Sequence, residues 1–147
     1  MSEPKITLEI DSVERDISFF ELGNIEIRVG DKIISSRNRA PDQSFMLLAS
    51  LDELLDGLYL LRKNKEYLFN GIDSSFKIRF TMLPNSTLEL SSYGVIMTID
   101  FEVFIKTLLV ECQNLLRKYS GHITDDQGVM QDLEDSIKKL VKIIESI

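Results

Sequence analysis

The stretch SFKIRFTMLPNSTLEL, residues 75–90, predicts a β-hairpin with one apolar face and one polar face. Apolar and polar side chains alternate on both sides of a turn formed by Pro84, Asn85 and Ser86, which is the pattern of a half-buried strand pair. Pro presets the backbone at the first turn position, and Asn tolerates left-handed geometry at the second. The apolar residues are Phe76, Ile78, Phe80, Met82, Leu88 and Leu90. The polar face therefore meets either water or another molecule.

Patterns on either side of this hairpin predict an α+β fold. Further strands are predicted over residues 5–10, 24–29, 32–35, 67–69 and 95–99. Helices are predicted over residues 47–61, 101–119 and about 125–147. Ser50 and Glu53 have the spacing of a capping box, so residues 45–49 could instead form a short strand before a helix that begins at Leu51. This order favours a largely antiparallel sheet with helices packed on one face, the other face open, and two C-terminal helices.

The length of the chain predicts a single domain over residues 1–147. The one weak boundary is the polar segment 120–127, after which the last helix could be peripheral or exchanged between subunits. Its apolar stripe, from Val129 to Ile144, packs either on the domain's own core or on another chain. Monomer and homodimer both remain open.

The charge of the chain is acidic, with 17 basic and 24 acidic residues and a net charge of −7. Residues 1–30 carry a net −4 and residues 121–147 a net −3, so these two segments hold the whole excess. Nucleic-acid binders usually show a basic stripe, and none is visible here, so binding of nucleic acid is disfavoured. A negative surface would instead steer a basic protein partner.

The sequence lacks the patterns of secretion and membrane insertion, so we expect a cytoplasmic protein. The first ten residues, MSEPKITLEI, lack the basic start and apolar run of a signal peptide. No apolar stretch approaches the roughly 20 residues of a membrane span, so no membrane association is expected. The single cysteine, Cys112, excludes an intrachain disulfide and fits a reducing compartment.

Motifs for catalysis, metals and cofactors are missing from the sequence. There is no Walker loop and no Rossmann glycine pattern, and zinc would need more ligands than one Cys and one His. His122 is interpreted as a surface loop residue and Cys112 as a small core residue. The densest acidic group is Asp125, Asp126, Asp132 and Asp135. We interpret these acids as side chains near the start of the last helix, where they interact favourably with the helix dipole, and not as a metal site. We predict no catalytic, metal-binding or cofactor-binding residue, and an enzyme without a recognisable motif stays the minor alternative.

Two surfaces are candidates for binding a protein. The polar face of the hairpin carries Lys77, Arg79 and Glu89, which could also pair across strands or meet only water. The irregular segment near the N-terminus carries three acids, Glu14, Asp16 and Glu21. A third acidic group, formed by Asp52, Glu53 and Asp56, is interpreted as the first turn of the leucine-rich helix, where acids need no partner.

The order of segments resembles a known class of protein. The segments are ITLEI, IEIRVGDKII, LDELLDGLYLL, YLFNGIDSSFKIRF, STLELSS and VIMTID. Their order, with the size and acidity of the chain, is similar to small immunity proteins of bacterial toxin–immunity systems. This resemblance implies a non-catalytic cytoplasmic bacterial protein that binds and blocks one toxin, which could be basic. It assigns no contact residues, since these vary within that class. The alternatives are a secretion chaperone, although such chaperones begin with a helix, and a subunit of a protein complex.

Overall fold

The computed structural model describes residues 3–11, 17–18, 21–37, 43–119, 123–124 and 128–146. The strands within these ranges are β1 (Lys5–Ile10), β2 (Ile17–Ser18), β3 (Leu22–Val29), β4 (Lys32–Ser35), β5 (Phe45–Met46), β6 (Glu66–Asn70), β7 (Lys77–Leu83), β8 (Thr87–Ser92), β9 (Val95–Asp100) and β10 (Ile123–Thr124). The helices are α1 (Leu47–Asn64), α2 (Phe101–Lys118) and α3 (Val129–Glu145). The predicted α+β class, with two C-terminal helices, is confirmed.

The strands form two antiparallel sheets where a single sheet was expected. The first has the order β1-β3-β4, with the short β5 also paired to β3. The second is a meander in the order β6-β7-β8-β9. The Nζ atom of Lys32 in β4 donates to the carbonyl oxygen of Ile96 in β9 at 2.9 Å, so the two sheets meet at these strands. A separate parallel pair joins β2 and β10.

The hydrophobic core lies between the two sheets and the helices. Helix α1 packs on β6, and helix α2 packs on β1 and β9. Helix α3 packs on α1 and α2 and contributes Leu133, Ile137 and Leu140 to the same core. An aromatic cluster joins the two sheets, because the Phe45 ring lies 5.7 Å from Phe69 and 5.8 Å from Phe76. One face of each sheet is thereby covered.

Three of the turns between strands contain residues with positive φ. Gly30 has φ 61° in the two-residue turn between β3 and β4, and Asn85 has φ 65° in the hairpin turn. Tyr93 and Gly94 both have positive φ, 48° and 83°, and form the two-residue turn between β8 and β9. Glycine adopts such angles without steric cost.

The helix starts differ in part from the prediction. Asp100 caps α2, since its side chain accepts a hydrogen bond of 3.0 Å from the Val103 amide. Helix α1 begins at Leu47, and Ser50 does not cap it, because its hydroxyl accepts from the Ile72 amide at 2.9 Å. The first turn of α1 consequently contains no acidic residue, so the interpretation that placed three acids in that turn is wrong. Those residues are Asp52, Glu53 and Asp56, which lie in later turns.

Several predictions concern residues outside the described ranges. These residues are Glu14, Asp16, Gly121, His122, Asp125 and Asp126. Helix α3 begins at Val129, so the two aspartates predicted at its start precede it. In the described part of the chain, no helix combines the length and the hydropathy that crossing a membrane requires.

Candidate protein-binding face

The solvent-facing side of the β6-β7-β8-β9 sheet, here called the outer face, is left open by the helices. Side chains on a strand alternate between the two faces, and the inner positions of β7, such as Ile78 and Phe80, are fully buried. The outer positions are at least partly exposed in every strand. They are Glu66, Leu68, Asn70, Lys77, Arg79, Thr81, Thr87, Glu89, Ser91, Ile96 and Thr98. The hairpin's polar face thus becomes the middle of a four-stranded surface.

The strand register brings three of the predicted binding residues together on the outer face. Arg79 lies opposite Leu68 on one side and Ser91 on the other, and the row continues to Ile96. The next row runs Glu66, Thr81, Glu89 and Thr98. Lys77 lies opposite Asn70 at the other end of β7. The outer face therefore has a basic end, formed by Lys77 and Arg79, and an acidic row that contains Glu66 and Glu89.

These four charged side chains form no ion pair within the described residues. The salt bridges found there join Arg28 to Glu26, Arg37 to Glu9, and Lys106 to Glu102. Cross-strand pairing, which the hairpin sequence allowed, is not used, because Arg79 and Glu89 lie opposite neutral residues. The charges of the outer face are consequently available to a partner.

Large hydrophobic side chains are also exposed on the outer face. Leu68 in the edge strand β6 is 39% exposed and Ile96 in β9 is 51% exposed. They form the two ends of the Arg79 row, on opposite sides of the sheet. Exposed apolar side chains can become buried anchors when a partner protein covers such a face.

A depression of about 490 Å³ lies at the basic end of the outer face. Its lining consists of Gln43, Leu68, Ser75, Lys77, Arg79, Ser91, Ser92 and Tyr93. The Tyr93 hydroxyl donates to the Ser75 carbonyl oxygen at 2.6 Å, and the Tyr93 ring stacks on Phe76 at 6.3 Å. The Ser92 hydroxyl donates to the Lys77 carbonyl oxygen at 2.6 Å. These contacts hold the wall and the strand backbone in place.

Gln43 connects the depression to the buried interior. Its side chain is 6% exposed, and its Nε2 donates to the Tyr93 hydroxyl at 2.9 Å and to the Ser75 hydroxyl at 3.1 Å. Its Oε1 is buried and has no hydrogen-bond partner in the described part of the structure. Buried polar atoms are rarely left unsatisfied in native proteins. The two hydrogen bonds of Nε2 therefore connect three separate segments of the chain at this point.

Of the three acidic candidates near the N-terminus, the structure describes only Glu21, and this residue is not part of the outer face. Glu21 directly precedes β3 in the other sheet, and its carbonyl oxygen accepts from the Leu47 amide at 3.3 Å. Glu14 and Asp16 fall outside the described residues. The prediction of an acidic contact surface at these positions stays a prediction.

Cys112 and Asp135, two of the reactive side chains considered in the sequence, lie on helices and not on the outer face. Cys112 is fully buried on α2, and burial together with Glu111 raises the pKa of its thiol to about 12. Its interpretation as a core residue is confirmed. On α3, the Asp135 carboxylate accepts from the Gln131 side-chain amide at 2.9 Å. Nowhere in the described ranges do three acidic, histidine or cysteine side chains gather in a geometry that would hold a metal ion.

Sequence reasoning missed most of the wall of the depression. Gln43 and Tyr93 are 50 positions apart, and Gln43 and Ser75 are 32 apart, so no local pattern joins them. Leu68 and Ile96 could have been found, because each occupies an outward position in an alternating strand. Comparison of the chain with protein-family models, curated proteins and solved structures gives no match.

Proposed function

We propose that this chain is a non-catalytic protein that binds another protein through the outer face, and that it acts as an immunity protein that blocks a toxin. The observation that carries the proposal is the composition of the outer face. It combines charges of both signs, which form no ion pair among the described residues, with the exposed side chains of Leu68 and Ile96 on one sheet. Charges of both signs favour a specific partner and orientation over general adhesion.

The sheet also suits recognition because it is fixed before binding. Its inner side packs on α1 and α2, so its outer side chains project from an ordered backbone. A preorganised surface loses little conformational entropy on association. The toxin-blocking part of the proposal rests on the resemblance of size, acidity and element order to immunity proteins.

The test uses the protein encoded by the reading frame directly upstream of this gene, where the immunity hypothesis predicts the toxin. We expect a complex by isothermal titration calorimetry and relief of growth inhibition on co-expression. Leu68→Asp combined with Ile96→Asp should weaken the complex by at least about tenfold, because desolvated apolar anchors become charged. Retained affinity in this variant, or no complex at all, would contradict the proposal.

A matched control separates the outer face from the rest of the surface. Val103 and Val110 on α2 are 41% and 52% exposed, close to the values for Leu68 and Ile96. The double variant Val103→Asp with Val110→Asp should keep the affinity of the unaltered chain. Sedimentation of the free chain tests the chaperone alternative, which predicts a stable dimer.

A further inference from the structure

The basic end of the outer face has an electrostatic character unlike that of the whole chain. Lys77 and Arg79 both line the depression, and none of the described residues in its lining is acidic. Both are exposed and lack an ion pair among the described residues, in a protein with a net charge of −7. They are two residues apart on one strand face, so roughly 7 Å separates their Cα atoms. Two cations this close, neither of them held in an ion pair among the described residues, would bind an anion favourably.

The remaining lining of the depression fits a carboxylate and an aliphatic neighbour. The Arg79 guanidinium can bind a carboxylate with two parallel hydrogen bonds, and Lys77 adds a positive charge beside it. The hydroxyl of Ser91, opposite Arg79 in the register, is a further donor. Leu68, on the other side of Arg79, offers apolar surface.

We propose that this depression binds an acidic segment of the partner protein, with one carboxylate between Lys77 and Arg79 and an adjacent aliphatic side chain on Leu68. The inference rests on the proposed function, since it states the chemistry of the partner at the same face. It assigns the partner an acidic segment at this point, whatever its overall charge.

An acidic polypeptide fits this surface better than a nucleic acid. A nucleic-acid strand carries a charge at every nucleotide and needs an extended basic groove. Here the row next to Arg79 carries Glu66 and Glu89, which would repel a second and third phosphate. A short peptide can place a single carboxylate at the basic end and avoid the acidic row.

The experiment titrates the full-length, ¹⁵N-labelled chain with a small peptide and follows the amide resonances. The probe is acetyl-Gly-Leu-Asp-Glu-Gly-amide, and its neutral counterpart is acetyl-Gly-Leu-Asn-Gln-Gly-amide. We expect saturable shifts at Ser75, Lys77, Arg79 and Ser91 with the acidic peptide only. Lys77→Gln combined with Arg79→Gln should weaken binding about tenfold or more, since contacts to a charged group are lost.

A variant with the same change in net charge serves as the control. Lys138→Gln combined with Lys142→Gln removes two exposed cations from α3 and should leave the affinity unchanged. The inference is overturned if the acidic peptide gives no saturable shift at millimolar concentration, or if the neutral peptide binds equally. It is also overturned if the control variant loses as much affinity, or if a thymidine oligonucleotide binds the same residues in preference to the peptide.

This titration does not use the upstream protein, so the two hypotheses can fail separately. A complex that needs Leu68 and Ile96 but is indifferent to Lys77→Gln with Arg79→Gln overturns only the carboxylate site. A peptide that binds the depression while no complex forms overturns only the proposed function.

Discussion

At the scale of single residues, the contact between α1 and α3 contains an unusual shared hydroxyl. The Ser136 hydroxyl lies 2.7 Å from one carboxylate oxygen of Asp52 and 2.7 Å from one of Asp56. A hydroxyl has one proton, so it donates fully to only one of the two at a time. Burial raises the pKa of Asp52, against the hydrogen bond from Ser136, and the charges of Asp56 and Asp132 raise it further.

This arrangement predicts that Asp52→Asn stabilises the protein at neutral pH. An acid whose pKa is higher in the folded state contributes stability below its unfolded pKa of 3.8. That contribution is lost as the pH rises through the folded pKa, so the unaltered chain is penalised at pH 7. Asn keeps an acceptor for Ser136 and has no charge. We expect a gain below about 1 kcal/mol, since Asp52 is still partly solvated.

Thermal unfolding measured from pH 3 to pH 7 checks this prediction. The difference between Asp52→Asn and the unaltered chain should be near zero at the acid end and should grow toward neutrality. Gln113→Asn, which changes an exposed neutral side chain on α2, is the control and should show no such trend. A constant difference across the range would contradict the argument.

At the scale of elements, the close approach of α1 to β6 depends on one glycine. A Cβ atom on Gly57 would overlap the ring of Tyr67. That ring is held in place, because its hydroxyl donates to the Glu53 carbonyl oxygen at 3.0 Å and the ring stacks on Phe80 at 6.0 Å. The helix and the sheet therefore meet more closely than any larger residue at position 57 would allow.

We expect Gly57→Ala to destabilise the fold by roughly 1–3 kcal/mol through overpacking. In the Tyr67→Ala background the clash is gone, and the same substitution should stabilise by up to about 1 kcal/mol through helix propensity. Urea unfolding of the double-mutant cycle measures the coupling between the two sites. A cycle in which Gly57→Ala has the same effect in both backgrounds would show that the helix moves away without cost.

The strands and helices show which sequence patterns are sufficient to predict an element and which are not. The alternation in β1, β7 and β9 predicted these strands because each has one buried face and one exposed face. The predicted start of α1 at Leu47 is confirmed, whereas the alternative start at Leu51 is wrong, because Ser50 has the spacing of a cap but its hydroxyl accepts from the Ile72 amide, 22 positions away. A local pattern in the sequence cannot reveal that a distant backbone amide donates to this serine hydroxyl.

At the scale of the whole molecule, contacts between residues far apart in the sequence determine how the strands are arranged and which residues line the depression. The short strand β5 pairs with β3 at Leu22 and Gly23, and no periodicity in the sequence predicts this pairing. The sequence predicted that Lys77, Arg79 and Glu89 share one face because a single hairpin carries all three. Gln43 and Tyr93 were missed because the depression exists only after both sheets have formed.

The last helix gives the prediction that concerns the whole molecule. Leu140 on α3 is fully buried in the common core, whereas Leu60 on α1 is 46% exposed. Leu140→Ala should cost about 2–4 kcal/mol, because it removes buried apolar volume. Leu60→Ala is the control and should change the free energy of unfolding by no more than about 0.5 kcal/mol.

Two probes test whether α3 unfolds together with the rest of the protein. The buried thiol of Cys112 reacts only when the core opens, since the thiolate is the reactive form and burial raises the thiol pKa to about 12. Thiol labelling and far-ultraviolet circular dichroism should therefore shift to the same lower urea midpoint in Leu140→Ala. Two separate transitions would mean that α3 detaches on its own. A midpoint that rises with protein concentration would mean that α3 is exchanged between two copies of the chain.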